Sequence, residues 1–383
     1  MFIMIASVSQ YILSVENSLL MFRTLRDIEP VRGIDGKPIC YTGNSAIIFK
    51  VRLYGELKAL RVYMRHHPNL RAIYRDNLYP RELFICHEGD EEMWADVVLC
   101  NWWEGHTLQR EIAQHAGNSE AMMQLAQRFE RFAAHILDEE WAHGDIKPDN
   151  IIVDDEAMHL IDHDAAYRNG FTSEECIELG SRQYQHPARS AENFGIHIDD
   201  YPIALITTAL YALAYDSSLA ATLHNSDYLL INPAHAIEDR DLTLQHIEEL
   251  FADRGDAYHL YIARLLHSRN IVLFNLRSYL DPAPPPACNS EELSLNCAHG
   301  LWGYTRGDEW IIPPLYDLGF EFSEGTALVQ LGRVWHFIDE KGRTIITCGK
   351  GHGIKPMRDG KSHIVYEDGS EAIIYRNGEI KKI

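Results

Sequence analysis

The sequence predicts an α+β protein, because three stretches of the chain follow different patterns. Short apolar runs separated by turn residues, typical of β-strands, occupy residues 28–64. Helical spacing of apolar residues begins at residue 118, and residues 203–214 are apolar on nearly every face, as in a buried helix. Beyond residue 298 the period returns to two, with many turns. The expected order is therefore a β-rich part, a helical part and a small all-β part.

Composition narrows the classes of partner. The chain has 383 residues, of which 46% are hydrophobic, and this is enough for more than one core. Its net charge of −21 predicts a surface that repels nucleic acid and anionic membranes, so neither is expected as a partner. Seven scattered cysteines without a C-x-x-C pair indicate free thiols in a reducing compartment. We therefore expect a cytoplasmic protein.

Residues 1–27 are expected to form an N-terminal extension. The stretch Met1–Phe22 is apolar, but polar residues interrupt it and no basic segment precedes it. It therefore predicts neither a signal peptide nor a membrane anchor. Two interpretations stay open: Met21 is the natural start, or an amphipathic helix packs on the following domain.

The β-rich part contains two hairpin signals. Asp35-Gly36 lies between short apolar runs, and Tyr54-Gly55 precedes the predicted strand Leu57–Tyr63. A further strand is expected at Ala95–Cys100. These elements predict an antiparallel sheet in the first hundred residues.

The helical part begins with a residue suited to a helix N-terminus. Asn118 is a plausible N-cap for an amphipathic helix that reaches Leu137. A second helix is expected from Asp200 and Pro202, because acids and proline favour a first turn. Further helices are expected over 242–251 and 257–266.

Between the two parts lies a polar loop followed by a β-hairpin. The loop reads H-G-D-I-K-P-D-N over residues 143–150, and two β runs with an intervening turn lead to Asp162. This order is expected to bring the side-chain oxygens of Asp145, Asn150 and Asp162 to one space. Mg²⁺ prefers such ligands, supplemented by substrate phosphates.

These motifs resemble the catalytic core of the protein-kinase-like fold, H-R-D-x-x-x-x-N followed by D-F-G, which reads D-H-D here. The resemblance covers about residues 28–280 and implies a bilobal domain with a β-rich N-lobe and a helical C-lobe. It implies that Asp145 accepts the proton of the attacking hydroxyl and that Lys147 neutralises charge on the phosphoryl group. Asn150 and Asp162 would then hold Mg²⁺, with ATP as the donor.

The same resemblance implies a nucleotide-binding set. Gly43 is what remains of the glycine-rich loop, and Arg61 in Ala59-Leu60-Arg61-Val62 replaces the lysine of the family's V-A-I-K strand. Lys50 is the alternative to Arg61. Residues 101–108 would form the hinge between the lobes. Cys100 would lie at the back of the nucleotide pocket, and Trp102 would stack on a ligand or pack under the hinge.

The match departs from the family at two further positions. The glutamate that normally pairs with the lysine is not identifiable, since residues 65–78 contain arginines and no glutamate. His163 replaces the phenylalanine of D-F-G, so the usual in/out switch of that residue is not assumed. The helix at Asp200 is expected to brace the catalytic loop, as the corresponding family helix does.

A proline-rich stretch, Asp281–Pro286, indicates a linker over 281–297 before a module over 298–383. In this module Leu301-Trp302-Gly303 is followed 33 residues later by Val334-Trp335-His336. The pattern resembles the WG-repeat β-module, in about two copies and a degenerate third. Such a module either binds partners or only stabilises the helical part.

The leading hypothesis is an ATP- and Mg²⁺-dependent phosphotransferase acting on Ser or Thr of a protein. A protein substrate or partner would bind through the C-lobe or the repeat module. One alternative is a catalytically impaired pseudokinase that serves as a scaffold. Another is a small-molecule phosphotransferase similar to aminoglycoside kinases, which also carry H-G-D loops.

Overall fold

The chain has a mixed α+β structure with several antiparallel sheets and an all-β region at its C-terminal end. The computed structural model describes residues 6–86, 92–223, 227–281, 292–298, 300–332, 334–352, 354–366 and 369–383. Contacts divide the chain into two compact units. The first consists of Met1–Glu111, Glu140–Gly180 and Ser190–Ile198, and the second of Ile112–Glu139, Ser181–Arg189 and Asp199–Ile383.

The helices are concentrated between residues 108 and 280. They are Val8–Glu16 (α1), Ser18–Met21 (α2), Leu70–Tyr74 (α3), Leu108–His115 (α4), Ser119–Leu137 (α5), Asp200–Tyr215 (α6), Ala220–Leu223 (α7), Pro233–Ile237 (α8), Leu242–Arg254 (α9), Ala257–Leu265 (α10) and Leu276–Leu280 (α11).

The strands lie on both sides of the helical part. They are Glu29–Pro30 (β1), Cys40–Thr42 (β2), Ala46–Leu53 (β3), Glu56–Tyr63 (β4), Leu78–Ile85 (β5), Met93–Asn101 (β6), His106–Thr107 (β7), Trp141–Ala142 (β8), Ile151–Val153 (β9), Met158–Leu160 (β10), Tyr167–Arg168 (β11), Ser294–Ala298 (β12), Leu301–Arg306 (β13), Glu309–Tyr316 (β14), Leu318–Gly319 (β15), Ala327–Leu331 (β16), Val334–Ile338 (β17), Thr344–His352 (β18), Lys361–Tyr366 (β19), Glu371–Tyr375 (β20) and Ile380–Lys382 (β21).

The main sheet of the first unit has the order β1-β3-β4-β6-β5, and β2 pairs with β3. The predicted turn at Tyr54-Gly55 joins β3 to β4, and both of its residues have the positive φ that a tight hairpin turn requires. The predicted turn at Asp35-Gly36 also forms, with Gly36 N bonded to Gly33 O. The antiparallel sheet expected in the first hundred residues is therefore confirmed.

The N-terminal residues form a helix that packs on this sheet. Tyr11 and Val15 of α1 are fully buried, and they share one core with Phe22 and Ile28. The amphipathic-helix interpretation of this stretch is thus confirmed for the residues described. Across the described ranges, no single helix is long and apolar enough to cross a membrane; only α6 taken with 217–223, bent by 114°, passes on length and composition.

The predicted β-hairpin after the polar loop is also present. β9 and β10 pair antiparallel, with Met158 opposite Val153, and β7 pairs with β9 on its other side. The loop before β9 makes a close turn at Gly144, which has a φ of +80°. A Cβ there would lie 2.2 Å from the carbonyl oxygen of Ala165, so only glycine fits without displacement.

In the second unit, α5 and α6 have the predicted positions. Asn118 caps α5 by accepting bonds from the backbone N–H groups of Glu120 and Ala121. Helix α6 is buried along almost its whole length, as its apolar sequence indicates. Asp200 accepts a bond of 3.0 Å from Leu273 N. Its expected bracing of the 143–150 loop stays a prediction.

The C-terminal region consists of the three-stranded sheet β12-β13-β14 and the meander from β15 to β21. The hairpins β13–β14, β17–β18 and β19–β20 each contribute fully buried residues to this region, among them Tyr304, Phe337 and Ile364.

The predicted boundary between the helical part and this region falls mainly outside the described residues. The proline-rich stretch 282–286 is not described, while residues 294–297 of the predicted linker belong to β12. Since β14 contacts α10 within one compact unit, the division into 28–280, 281–297 and 298–383 stays a prediction.

Candidate functional site

A cavity of about 640 Å³ opens in the first unit, beside β4, β6 and the β9–β10 hairpin. This volume lies in the range of pockets that hold small molecules. The walls combine aliphatic side chains with two indoles. Arg61 and Asp162 contact each other, and we call this part of the cavity its acidic end. The lining residues are Ile48, Lys58, Ala59, Arg61, Tyr74, Asn77, Tyr79, Leu99, Cys100, Asn101, Trp102, Trp103, Asn150, Ile152, Leu160, Ile161, Asp162 and His163.

Arg61 is the buried cation of this cavity. It lies on β4 opposite Val98 of β6, and its side chain is only 8% exposed. One guanidinium nitrogen, Nη2, donates to Asp162 Oδ1 at 2.6 Å and to Asp164 Oδ2 at 2.8 Å. Burial opposes the charge, but neighbouring phenols and these two carboxylates raise the pKa of Arg61 well above its usual value. Arg61 therefore remains charged inside the protein.

Asp164 is the acceptor on which this buried network converges. Its Oδ1 accepts from the hydroxyls of Tyr63 and Tyr74, at 2.6 and 2.7 Å. Its Oδ2 accepts from Arg61 and, at 3.3 Å, from the hydroxyl of Ser45. Burial favours the neutral acid, yet Arg61 and the two phenols outweigh it and lower the pKa of Asp164. The carboxylate is therefore ionised and fully hydrogen-bonded.

The backbone around Asp164 is fixed by histidines. His67 Nε2 donates to the carbonyl oxygen of Asp164 at 3.1 Å, and its Nδ1 accepts from Asn69 N. His143 Nε2 donates to Ile161 O at 2.9 Å. These bonds hold the 161–164 segment from two sides.

His163 takes the central position of the D-H-D segment. Its ring packs against the aromatic rings of Tyr74, Trp141 and His143. Burial, reinforced by the nearby His143 and Arg61, lowers the pKa of His163 to about 3. His163 is thus a neutral ring that packs among aromatic side chains, and it does not act as an acid or a base.

The polar loop presents its predicted catalytic pair at short range. Lys147 Nζ lies 2.9 Å from Asp145 Oδ2. Asn150 Nδ2 donates to Asp145 Oδ2 at 3.1 Å and to Asp145 O at 2.9 Å. Asn150 is buried and lines the cavity, as does Asp162. Three of the predicted polar residues, Asp145, Lys147 and Asn150, therefore form one connected group.

The predicted Mg²⁺ ligands are Asn150 and Asp162. Asp162 has a left-handed backbone, with φ +66°, and a side chain that is 43% exposed. Among the described residues no group of three or more His, Cys, Asp or Glu side chains could hold a metal ion. An amide oxygen and one carboxylate nevertheless fit Mg²⁺, which keeps several waters and uses phosphate oxygens as further ligands.

The predicted nucleotide-binding residues are not all in the cavity. Cys100 and Trp102 line it, and burial raises the pKa of the Cys100 thiol. The indole Nε1 of Trp102 is buried without a partner among the described residues. Gly43 lies in the β2–β3 turn, where its N–H bonds to Ala46 O, and it is not a lining residue.

Lys50, the alternative to Arg61, points to a different group. Its Nζ lies 2.6 Å from Glu104 Oε1 and 4.9 Å from the ring centre of Trp102. It contacts neither Asp162 nor Asp164 in the described structure. The geometry therefore favours Arg61 as the cation of the acidic end.

Sequence reasoning assigned no role to Asp164, Tyr63 or Tyr74. The signal for Asp164 was visible, because it is the second acid of D-H-D. The two tyrosines carried no signal, since a phenol on a strand or a short helix is ordinary core composition.

Comparison with known families supports the predicted WG repeat in the C-terminal part of the chain. A family model described as a WG containing repeat matches residues 307–335. The matched segment begins in the β13–β14 turn and ends in β17, so the all-β region contains a WG repeat. No curated protein matches the chain.

Proposed function

We propose that this protein is an ATP- and Mg²⁺-dependent phosphotransferase with a bilobal protein-kinase-like domain. Its acceptor would be a Ser or Thr hydroxyl of a protein, and the WG-repeat region would provide a surface for a protein partner. The observation that carries the proposal is the acidic end of the cavity, where Arg61, Asn150 and Asp162 line one space. Cation, amide and carboxylate are the groups that phosphoryl transfer requires at the phosphates.

The remaining cavity supports a nucleotide as the ligand. Ile48, Leu99 and Leu160 supply apolar walls, while Trp102 and Trp103 offer aromatic surface. A ligand with a flat aromatic end and an anionic end matches this division. Bound Mg²⁺ would neutralise phosphate charge.

The loop residues supply the acid–base chemistry of the proposal. Asp145 is held by Asn150 and paired with Lys147, so its carboxylate has a defined orientation. As the general base it would accept the proton of the attacking hydroxyl. Lys147 would then balance the negative charge on the transferred group.

The second candidate is a scaffold that binds nucleotide without transferring phosphate. One observation favours it. Arg61 Nη2 lies 2.6 Å from Asp162 Oδ1, so one oxygen of the proposed metal ligand already has a cationic partner. Gly43, outside the cavity lining, is also consistent with weak phosphate contacts.

Transfer of labelled phosphate from ATP distinguishes the two candidates. With a lysate or a generic protein acceptor, we expect the wild type to transfer label and Asp145→Asn to lose about 10²–10⁴-fold, because a general base contributes that much. Asp149→Asn is the matched control, since Asp149 is an exposed acid in the same loop. Mg²⁺-ATP binding without transfer by the wild type would favour the scaffold. Label on small molecules only would favour the small-molecule alternative.

A further inference from the structure

The carboxylates that pair with Arg61 do not come from helix α3. Helix α3 and the residues around it, 65–78, contain no glutamate, and the helix contributes only the Tyr74 hydroxyl to the network. Arg61 pairs instead with two carboxylates, Asp162 and, two residues later, the buried Asp164. One short segment therefore supplies both acids that contact Arg61.

We propose that Asp164 is the positioning residue that orients Arg61 toward bound phosphate and limits its contact with Asp162 to Oδ1, which leaves Oδ2 of that carboxylate available to a divalent cation. This inference rests on the phosphotransferase function proposed above. It assigns Asp164 a role through Arg61 and not through direct contact with the ligand.

The hydrogen bonds explain why Asp164 is not itself a metal ligand. Each of its oxygens accepts two bonds, from the tyrosine pair Tyr63 and Tyr74 on one side and from Arg61 and Ser45 on the other. A carboxylate whose oxygens are used in this way has little capacity left for a cation. The side chain is also buried, in contrast to the half-exposed Asp162.

The orientation of Arg61 leaves one nitrogen available. Nε donates to the Tyr63 hydroxyl at 3.3 Å, and Nη2 bridges the two carboxylates. Within the described part of the chain, Nη1 has no hydrogen-bond partner. Since Arg61 lines the cavity, Nη1 is the group that would donate to a phosphate oxygen.

Charge balance links the two acids. Arg61 faces Asp162 and Asp164, so the three side chains together carry one negative charge, which repels a bare phosphate. A divalent cation on Asp162 reverses the sign and makes the group attractive. If Asp164 were neutral, the charge of Arg61 would be balanced by Asp162 alone, and Arg61 would compete with the cation for that carboxylate.

The test is the Mg²⁺ concentration that gives half-maximal ATP binding, measured by titration calorimetry. We expect Asp164→Asn to raise it about tenfold, the equivalent of one charge-assisted hydrogen bond. The double variant Arg61→Gln/Asp164→Asn should return toward the wild-type Mg²⁺ requirement, because the competitor for Asp162 is gone. Asp155→Asn, an exposed acid in the β9–β10 turn, is the matched control and should be unchanged.

Adenosine affinity and thermal unfolding distinguish a positioning role from general damage to the fold. A positioning role leaves adenosine affinity unchanged, whereas general damage lowers both adenosine affinity and the unfolding temperature. If Asp164→Asn does not fold, Tyr63→Phe/Tyr74→Phe keeps the charge and removes two bonds; about a threefold rise is then expected. An unchanged Mg²⁺ requirement in the folded variants overturns the inference while the proposed function stands. A wild type that binds neither ATP nor adenosine overturns the proposed function, and the inference with it.

Discussion

Arg61 contributes to the stability of the fold and, in the proposed function, to phosphate binding. A buried arginine loses its hydration, and here the loss is offset by two carboxylates and a phenol. Two acids for one cation is more than neutrality requires inside a protein. The surplus negative charge accords with the divalent cation site that we propose here.

Arg61→Ala is expected to affect binding and folding differently. Loss of a charge-assisted phosphate contact, about 1.5–3 kcal/mol, should weaken ATP binding about tenfold or more, while adenosine binding barely changes. The same change leaves Asp164 buried without its cation, and it should lower the free energy of unfolding by about 3–5 kcal/mol. Calorimetry with ATP and adenosine, together with denaturant unfolding, measures both effects.

The control for this prediction is Arg52→Ala, at an exposed arginine on β3. Arg61→Lys keeps a positive charge at the position and should retain more ATP affinity than Arg61→Ala. Equal ATP affinity in the wild type and in Arg61→Ala would show that Arg61 does not contact the phosphates, and Lys50 or Lys58 would be tested next.

At the scale of secondary-structure elements, four helices of the second unit meet at His259. Its Nδ1 lies 2.7 Å from Asp256 on the neighbouring turn, and its Nε2 lies 3.1 Å from Glu130 of α5. The ring stacks on Tyr211 of α6 and meets Phe251 of α9 edge-on. The site is a buried ion cluster that joins α5, α6, α9 and α10.

Two acids decide the charge of this histidine. Burial alone would lower the pKa of His259, but hydrogen bonds and ion pairs with Asp256 and Glu130 raise it to about 9. The hydroxyl of Tyr215 donates to Asp256, and that of Tyr211 donates to Glu130. His259 is therefore protonated in the folded protein at neutral pH.

This shift predicts a pH-dependent stability. Because the pKa of His259 is higher in the folded than in the unfolded chain, its stabilisation is complete below about pH 6.5 and is lost as the pH rises through about 9. The full effect is on the order of 3 kcal/mol. His259→Gln should remove this stabilisation. The unfolding midpoints of wild type and His259→Gln should therefore differ most near pH 6.5 and approach each other as the pH rises through about 9.

His135→Gln is the matched control, since His135 lies on α5 with a side chain that is 77% exposed. A constant difference between wild type and His259→Gln across that pH range would contradict the predicted charge of His259.

At the scale of the whole molecule, the WG-repeat region and the helices before it belong to one compact unit. Tyr316 at the end of β14 is 1% exposed, and its hydroxyl lies 3.4 Å from that of Tyr261 on α10. Tyr279 on α11 donates to Leu315 O at 3.3 Å. Aromatic residues thus connect the two parts of this unit.

Tyr316→Ala should therefore destabilise the helices as well as the repeats. Truncating a buried aromatic side chain costs about 3–5 kcal/mol, and we expect the helical circular-dichroism signal to melt at a lower temperature. Leu318→Ala, at a residue that is 48% exposed in the adjacent strand, is the control. Unchanged melting of the helices in Tyr316→Ala would show that the repeats fold independently, in line with the predicted linker.

The sequence by itself determined the local elements and the motif positions. Glycine and acid–glycine turns, the Asn118 cap and the apolar face of α5 are local signals, so the strands 57–63 and 95–100 and the helix after 118 were predictable. The H-G-D loop and Asp162 were also visible, because they stand directly before and directly after one short β-hairpin. The WG repeat was recognisable from its dipeptides and period.

Only the tertiary structure decided how Arg61 is paired. Asp164 lies 103 residues from Arg61 and 90 from Tyr74 in the chain. Their contact depends on the register of β4 against β6 and on the turn at Gly144. The same holds for His259 and Glu130, whose contact depends on helix packing. Sequence spacing within one element does not predict such contacts, because residues distant in the chain come together only through the packing of several elements.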